Sequence, residues 1–345
     1  MKYGIIADLH TDPRLIIPAI GILKSEGADK LILNGDIQEV QDNLEKTRDY
    51  LALILTAAGK SGLETYVQPG NHEPFLAFQP VMDFFSDKFD NIMSISNVVR
   101  IEQPDHHLVF LPGSDISAGG EYFFGDDYLT GNYVITENGL VSFEEAKQKR
   151  IPASGFIVYQ NVHDLRKNIT SPEKTIAVCH VPRRFDNLEH AIDIVDLCEV
   201  TDNFTVKATH YADGDVYFGS LVQLRPGETK VSNMQFKKGN LVQKLIGQKL
   251  VNAGCPVEMK TMNKGNELLK SIYEELGVTK GVSAHFHESG HKACDSLGNH
   301  VNEGELVDSL FWNSGCMSNG KFGILTAENG KVSYRNIHLQ DYVKE

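Results

Sequence analysis

The sequence is poor in cysteine, and its cysteines follow no pattern that would cross-link the chain. Five cysteines are scattered over 345 residues with no C-x-x-C spacing, namely Cys179, Cys198, Cys255, Cys294 and Cys316. A disulfide framework and a thiolate zinc site both need closely spaced pairs, so neither is expected. This usage is typical of a reducing, cytoplasmic setting.

Long apolar runs and an excess of basic residues are also missing. No run approaches the roughly 20 apolar residues of a membrane helix, and the segment from Met1 to Asp8 meets a charge too early for a signal peptide. The net charge is −13 at pH 7, whereas surfaces that bind nucleic acid are usually basic. We expect no membrane association, and nucleic acid is the less favoured partner, although divalent ions could make a cleft locally positive.

What is present is a globular composition in which strand and helix patterns alternate. With 41% hydrophobic and 23% charged residues, the chain can build a sizeable core. Apolar periodicity predicts strands at 2–7, 30–33, 63–67, 107–111, 175–179 and 281–284, and helices at 14–26, 43–58, 143–149 and 266–276. The tail from Phe311 to Tyr334 is predicted to form strands, with a hairpin turn at Asn329-Gly330.

Polar side chains follow the carboxyl ends of these buried strands, where open α/β sheets place their ligands. They comprise two carboxylates, one amide and five imidazoles: Asp8, His10, Asp36, Asn71, His72, His180, His285 and His287. Oxygen and nitrogen donors without thiolate suit Mn, Fe, Zn, Co or Ni better than Mg or Ca. The set is large enough for two divalent ions that share one carboxylate.

The ordered set resembles the motifs of the calcineurin-like metallophosphoesterases, D-x-H, G-D, G-N-H-[D/E], H and G-H-x-H. Here they read Asp8-x-His10, Gly35-Asp36, Gly70-Asn71-His72-Glu73, His180 and His285-x-His287. The resemblance covers roughly residues 1–113, 173–184 and 264–335. It departs from the family at Ala284, which stands where a glycine usually precedes the last histidine pair.

The resemblance implies a fold class and a domain organisation. We expect an α/β protein, a four-layer α/β/β/α sandwich, built as a single domain over residues 1–345. The segments 114–171 and 185–262 match no motif of the family and are expected to form a cap over the strand ends. Substrate choice is expected to depend on them.

The resemblance also implies a role for each strand-end residue. The first ion would be held by Asp8, His10 and His287, and the second by Asn71, His180 and His285. Asp36 would bridge both ions. His72 would bind neither ion but face the scissile phosphate, and Glu39 stands where related phosphatases keep an acid that orients this histidine.

The implied reaction is hydrolysis of a phosphomonoester or phosphodiester, with a metal-bridging hydroxide attacking phosphorus and His72 assisting the leaving group. The substrate would be a small phosphorylated molecule such as a nucleotide. Arg183 or Arg184, close after His180, could bind its phosphate. The other histidines are expected to serve packing or solvation, with His210 and His291 as the outside candidates for the site.

Two other functions share this ligand set. One is a DNA nuclease resembling the double-strand-break repair enzymes, although those usually carry Asp at the position of Glu73. The other is a catalytically dead binding scaffold on the same fold. Such a scaffold is expected to lose metal ligands, and every ligand of the pattern is present here. The sequence does not indicate an oligomeric state.

Overall fold

The computed structural model describes residues 1–342 except 11, 40, 74, 114–130, 138, 153, 160, 212–214 and 220–227. The chain divides into two compact units. The first comprises Met1–Asp193 and Lys264–Glu345, and the second comprises Ile194–Asn263. The second unit takes up most of the predicted insertion 185–262, and the segment 114–130 of the other insertion lies outside the described residues.

The helices and strands are numbered in chain order. The α-helices are α1 (Ile16–Ser25), α2 (Leu44–Ser61), α3 (Phe75–Lys88), α4 (Phe143–Lys149), α5 (Leu165–Asn168), α6 (Lys244–Asn252) and α7 (Glu267–Leu276). The strands are β1 (Lys2–Ile6), β2 (Lys30–Asn34), β3 (Glu64–Gln68), β4 (Ile92–Ser94), β5 (Val99–Glu102), β6 (His107–Leu111), β7 (Gly131–Thr136), β8 (Gly139–Ser142), β9 (Gly155–Tyr159), β10 (Thr175–Cys179), β11 (Ile194–Val200), β12 (Phe204–Tyr211), β13 (Val216–Phe218), β14 (Glu228–Phe236), β15 (Leu241–Gln243), β16 (Val257–Asn263), β17 (Lys280–Ser283), β18 (Ala293–Cys294), β19 (Leu310–Asn313), β20 (Lys321–Glu328) and β21 (Lys331–His338).

Besides the three-stranded antiparallel sheet β8-β7-β9, the first unit contains two six-stranded sheets. One has the order β21-β20-β1-β2-β3-β4, in which β1 to β4 are parallel and β20 runs antiparallel to β1 and β21. The other has the order β18-β19-β17-β10-β6-β5, in which β6, β10, β17 and β19 are parallel. Within each sheet, the carboxyl ends of the parallel strands therefore meet at one edge.

Apolar side chains from both sheets share one buried cluster. Ile5 and Tyr66 from the first sheet join Phe110, Val178 and Trp312 from the second in this cluster. The helices α1, α2 and α3 pack in a separate cluster with the other face of the first sheet. On the second sheet, the ring of Tyr273 in α7 stacks on Phe311 at a centroid distance of 6.0 Å.

The helix ends follow from local sequence. The side chain of Asn43 accepts a hydrogen bond from the N–H of Lys46 at 2.9 Å and caps α2. Asn266 caps α7 in the same way, through the N–H of Leu269 at 2.7 Å. Gly277 ends α7 with a φ of +76°, a conformation that glycine adopts without steric cost.

The second unit has its own core. It contains two three-stranded antiparallel sheets, β15-β11-β16 and β13-β12-β14, together with α6. Among its described residues, eight buried apolar side chains form one cluster: Cys198, Val200, Val206, Ala208, Phe218, Phe236, Leu250 and Val257. The alternating pattern of the sequence predicts strands at 204–209 and 216–222, and the structure has β12 and β13 there, with 220–222 outside the described residues.

The mixed α/β class expected from the sequence is confirmed, while the cap remains a prediction. The predicted bounds agree with the structure at β6, β10 and α4. The sequence-based expectation missed α3, which contains Pro80 in its interior. Among the described residues, no helix is both long and apolar enough to cross a membrane.

Candidate metal centre

Three of the predicted metal ligands have a left-handed backbone conformation, with positive φ, that residues other than glycine rarely adopt. Asp8, Asp36 and His285 have φ values of +54°, +50° and +66°. Each lies just beyond a strand, β1, β2 or β17, and such strained backbone persists only where its surroundings hold it. Here the N–H of Asp8 donates to Gly35 O at 3.2 Å, and the N–H of His285 donates to Asp8 Oδ2 at 3.0 Å.

The first donor group consists of Asp8, His10 and His287, whose ligand atoms all lie within 4.8 Å of one another. Nε2 of His10 is 3.6 Å from Asp8 Oδ1, and Nε2 of His287 is 3.4 Å from the same oxygen. These are the three residues that the resemblance assigns to the first ion. The structure brings them together.

The second donor group consists of Asp36, His180 and His285. Nε2 of His180 is 3.0 Å from Asp36 Oδ2 and 3.8 Å from Asp8 Oδ1, so the second group adjoins the first. Nδ1 of His180 lies 2.8 Å from the carbonyl oxygen of Asn34, which makes Nδ1 the protonated nitrogen of the neutral ring. Nε2 is then free to act as a metal ligand.

Charge in the centre is divided between buried carboxylates and imidazoles. Burial opposes ionisation of Asp8, but the neighbouring imidazoles of His10 and His287 hold the pKa of this carboxyl well below its usual range. Burial likewise opposes ionisation of Asp36, yet His180 lowers its pKa. In return, and against the effect of burial, Asp36 raises the pKa of His180 to about 9 and Asp8 raises the pKa of His287 to about 11. The carboxylates thus attract positive charge, which metal ions would supply in place of the imidazole protons.

Three buried atoms of the centre lack a hydrogen-bond partner among the described residues, namely Asp8 Oδ1, Asn71 Oδ1 and His180 Nε2. Buried polar atoms are nearly always hydrogen-bonded, so each orphaned atom needs an explanation. All three atoms carry a lone pair when the carboxylate is ionised and the imidazole neutral, and all three belong to predicted ligands. The residues therefore fit the divalent ions that the resemblance implies.

His72 lies beside both donor groups and is open to solvent. Its side chain is 39% exposed, and its Nε2 is 4.0 Å from Asp36 Oδ2. Its Nδ1 is 3.1 Å from Oε2 of Glu39, and the same oxygen is 3.2 Å from Nδ1 of His10. One carboxylate therefore contacts the rings of both His10 and His72, and these three residues form a third group with metal-ligand spacing.

Glu73 organises the loops around Asp36, a role that sequence reasoning missed. Its buried carboxylate accepts hydrogen bonds from the N–H groups of Gly70 at 2.6 Å, Gln38 at 2.9 Å and Asp36 at 3.1 Å. Burial and the neighbouring Asp36 raise the pKa of Glu73 to about 8, against the effect of the Gly70 and Gln38 N–H donors. The fourth residue of the G-N-H-E motif thus ties the loop after β3 to the loop after β2.

Gly70 leaves no room for a side chain. A Cβ atom there would overlap Asp36 Oδ1, so we expect Gly70→Ala to lower the free energy of unfolding by about 1–3 kcal/mol. The matched control is Gly21→Ala in α1, where a Cβ would meet nothing within 4 Å and should stabilise the helix by about 0.5–1 kcal/mol. Urea denaturation of both variants measures the difference, and equal unfolding free energies would contradict the close packing.

Arg183 and Arg184 are engaged with acidic side chains of α7. Nη2 of the buried Arg183 is 2.9 Å from Glu274 Oε1, and its guanidinium lies over the rings of Phe185 and Phe311. Nη1 of Arg184 is 3.1 Å from Glu267 Oε1. These contacts fix the segment after His180, and they do not support substrate binding by either arginine, which remains a prediction.

His210 and His291, the two further histidines considered for the site, contact residues other than the predicted metal ligands. His210 belongs to the second unit, where its Nε2 is 3.2 Å from the hydroxyl of Ser232. Nε2 of His291 is 3.1 Å from the carbonyl oxygen of Phe322, and its Nδ1 is 3.2 Å from Nε2 of His338. Both positions are consistent with packing.

Sequence and structure comparisons give one family and several distant likenesses. The family model described as calcineurin-like phosphoesterase matches residues 1–211, more than half of the chain. No curated protein matches the sequence. Among solved structures, the chain is similar to TT1561 of Thermus thermophilus, with 10% identity over 98% of each chain and a TM-score of 0.46. It is also similar to a dimetal phosphatase from Danio rerio, with 11% identity over 98% of this chain and 99% of that one and a TM-score of 0.44.

Proposed function

Because the chain belongs to the calcineurin-like phosphoesterase family, we propose that it is a dinuclear metal-dependent hydrolase of phosphomonoesters or phosphodiesters. The family carries out metal-dependent hydrolysis of phosphoesters. One observation carries the finer proposal: the two donor groups adjoin, with Nε2 of His180 3.8 Å from Asp8 Oδ1, and these two atoms and Asn71 Oδ1 are buried without a hydrogen bond.

The proposal assigns the residues of the centre as follows. Asp8, His10 and His287 would hold one ion, Asn71, His180 and His285 would hold the other, and Asp36 would contribute to both sites. When bound, the two divalent ions would supply Lewis acidity toward a water molecule and toward the phosphate oxygens. The candidate metals are Mn, Fe, Zn, Co and Ni, which suit mixed oxygen and nitrogen donors.

His72 is proposed to donate a proton to the leaving-group oxygen. Its contact with Glu39 orients the ring through Nδ1, which leaves Nε2 on the side of Asp36 and the metal ligands. In the doubly protonated ring, Nε2 can pass its proton to an alkoxide as the ester bond breaks. Glu39 acts through His72 and is a positioning residue in this scheme.

The remaining parts of the proposal concern the surroundings of the centre. The two sheets and their helices would form four α/β/β/α layers, which the shared core of the two sheets and the stacking of α7 on the second sheet support. The insertions would cap the strand ends and select a small phosphorylated substrate, with DNA as the alternative substrate. The cytoplasmic setting remains a prediction.

A substrate panel tests the activity. We expect the purified protein with Mn²⁺ to hydrolyse p-nitrophenyl phosphate, bis-p-nitrophenyl phosphate or a nucleotide, and to lose this activity with EDTA. Single-stranded DNA in the same panel tests the nuclease. If the metal-loaded protein hydrolyses nothing in the panel but still binds a phosphorylated ligand, the scaffold function replaces the proposal.

Metal binding should also stabilise the protein, because ions that bind only the folded chain shift the unfolding equilibrium. At a Mn²⁺ concentration about 100 times the dissociation constant, the expected gain is about 2.7 kcal/mol per ion. Thermal melts with Mn²⁺ and with EDTA measure the shift in Tm. A Tm that does not change would show that the orphaned atoms of the centre do not take up this ion.

A further inference from the structure

One short segment contacts two of the loops that carry proposed metal ligands, the loop of Asp8 and the loop of His285 and His287. It runs from residue 313 at the end of β19 to residue 318, and we refer to it as the 313–318 segment. It lies beyond the residues 1–211 that match the family model, and none of its residues belongs to the motifs of the sequence analysis. Its hydrogen bonds to these loops indicate that it holds them in position.

At its first residue, the segment holds the loop of His285 and His287. Nδ2 of Asn313 lies 3.0 Å from Ala284 O and 3.1 Å from Phe286 O, the carbonyl groups on either side of His285. The Phe286 carbonyl also belongs to the peptide bond that leads into His287. The side chain of Asn313 is 1% exposed, and its Oδ1 accepts the N–H of Gly315 at 3.0 Å, which fixes the orientation of the amide.

At its other end, the segment holds the loop of Asp8. The N–H groups of Met317 and Ser318 donate to Ala7 O at 2.9 Å and to Asp8 O at 3.0 Å. Sγ of Cys316 lies 3.4 Å from the same Asp8 carbonyl. Since Asp8 Oδ2 also accepts the N–H of His285, the segment and the two ligand loops form one hydrogen-bonded unit.

We propose that Asn313 is a positioning residue of the metal centre, which holds His285 and His287 in ligating geometry through the carbonyl groups beside them. The proposal rests on the proposed function. His285 has a left-handed backbone, with a φ of +66°, that relaxes unless neighbouring bonds hold it. Residues that orient metal ligands in this indirect way typically change metal affinity by about 10–100-fold when they are replaced.

The chain offers a matched control in Asn336 of β21. Its Nδ2 donates to the carbonyl of His291 at 3.0 Å, and its Oδ1 accepts the indole N–H of Trp312 at 3.0 Å. Asn336 therefore makes the same kinds of bond as Asn313, but to a carbonyl that flanks no proposed ligand. Replacing either residue with aspartate removes an amide donor and keeps the shape of the side chain.

The experiment compares Asn313→Asp and Asn313→Ala with Asn336→Asp. Each protein is freed of metal, shown by circular dichroism to be folded at the working temperature, and titrated with Mn²⁺ by calorimetry. We expect both Asn313 variants to bind Mn²⁺ about 10–100-fold more weakly than the natural chain and Asn336→Asp to bind it nearly as well. The visible spectrum of bound Co²⁺, which reports ligand geometry, should change only in the Asn313 variants.

Kinetics add a readout that a purely structural role would not give. Because the side chain of Asn313 is buried and 1% exposed, raising Mn²⁺ to saturation should restore kcat in Asn313→Asp toward the natural value. If Asn313→Ala does not fold, Asn313→Asp alone decides, since it keeps the Oδ1 acceptor for Gly315. Unchanged Mn²⁺ affinity in a folded Asn313 variant, or an equal loss in Asn336→Asp, would overturn the positioning role. Failure of the natural chain to bind Mn²⁺ would instead overturn the proposed function, and the positioning role with it.

Discussion

Asp36→Asn is expected to lose both metal ions together, and the hydrolytic activity with them. Asp36 Oδ2 lies 3.0 Å from Nε2 of His180 in the second donor group and 3.9 Å from Nε2 of His10 in the first. Its Oδ1 accepts the N–H groups of Asn71 at 2.7 Å and His72 at 2.9 Å. Asparagine can keep Oδ1 as this acceptor, but it removes the negative charge and puts an amide donor where the ions need a lone pair.

Elemental analysis of the purified variant measures this effect. We expect metal content to fall from about two ions per chain to below one, and activity to fall by more than the roughly 10²–10³-fold that follows the loss of one electrostatic donor. Asp193→Asn is the matched control, because Asp193 is also a buried carboxylate that accepts backbone N–H groups, from Phe185 at 3.1 Å and Gly265 at 3.0 Å. His287→Ala should chiefly lower the metal occupancy of the first donor group, Asp8, His10 and His287. Two ions at full occupancy in Asp36→Asn would remove the bridging assignment.

The strand-end positions of several proposed metal ligands could be predicted from the sequence because they closely follow strands with a clear apolar pattern. Asp8, Asp36 and His180 come within two residues of β1, β2 and β10, and within each sheet parallel strands bring such ends to one edge. The motif order then identified the family, which the match over residues 1–211 confirms. Local pattern and strand direction were enough for this part of the site.

The helix α3 could not be predicted from local pattern. Pro80 in its interior lacks an N–H donor and ordinarily breaks a helix. The structure keeps the helix because its apolar side chains are buried in the core beside α2, among them Phe78, Met82 and Phe85. Burial of such large side chains, at about 1.5–3 kcal/mol each, outweighs the local cost of the proline.

Contacts between residues far apart in the sequence could not be predicted from local pattern either. Arg183 follows a predicted ligand, which favours a phosphate contact, but its guanidinium lies in an aromatic pocket and pairs with Glu274, 91 residues away. Asn313 has no metal-binding pattern around it, and its role depends on which carbonyl groups the parallel pairing of β17 and β19 brings near. Strand pairing and register are set by the whole sheet, so no local motif reveals them.

His72→Ala should separate catalysis from metal binding. His72 is proposed to protonate the leaving oxygen without binding either ion, so the variant should keep about two ions per chain and lose roughly 10²–10⁴-fold in kcat. The matched control is His190→Ala, because the His190 side chain is 38% exposed, against 39% for His72, and its Nε2 also contacts a carboxylate, that of Glu189. This control should keep the natural kcat.

The dependence on the leaving group distinguishes the acid from other roles of His72. A p-nitrophenolate leaves as a stable anion and needs little protonation, whereas the alkoxide of an alkyl ester or a nucleotide leaves poorly without a proton. The rate loss in His72→Ala should therefore grow as the pKa of the leaving group rises. A loss that is the same for all leaving groups would contradict the acid role and indicate that His72 binds the phosphate oxygens. A drop in metal content would make His72 a ligand instead, as the spacing of His10, Glu39 and His72 allows.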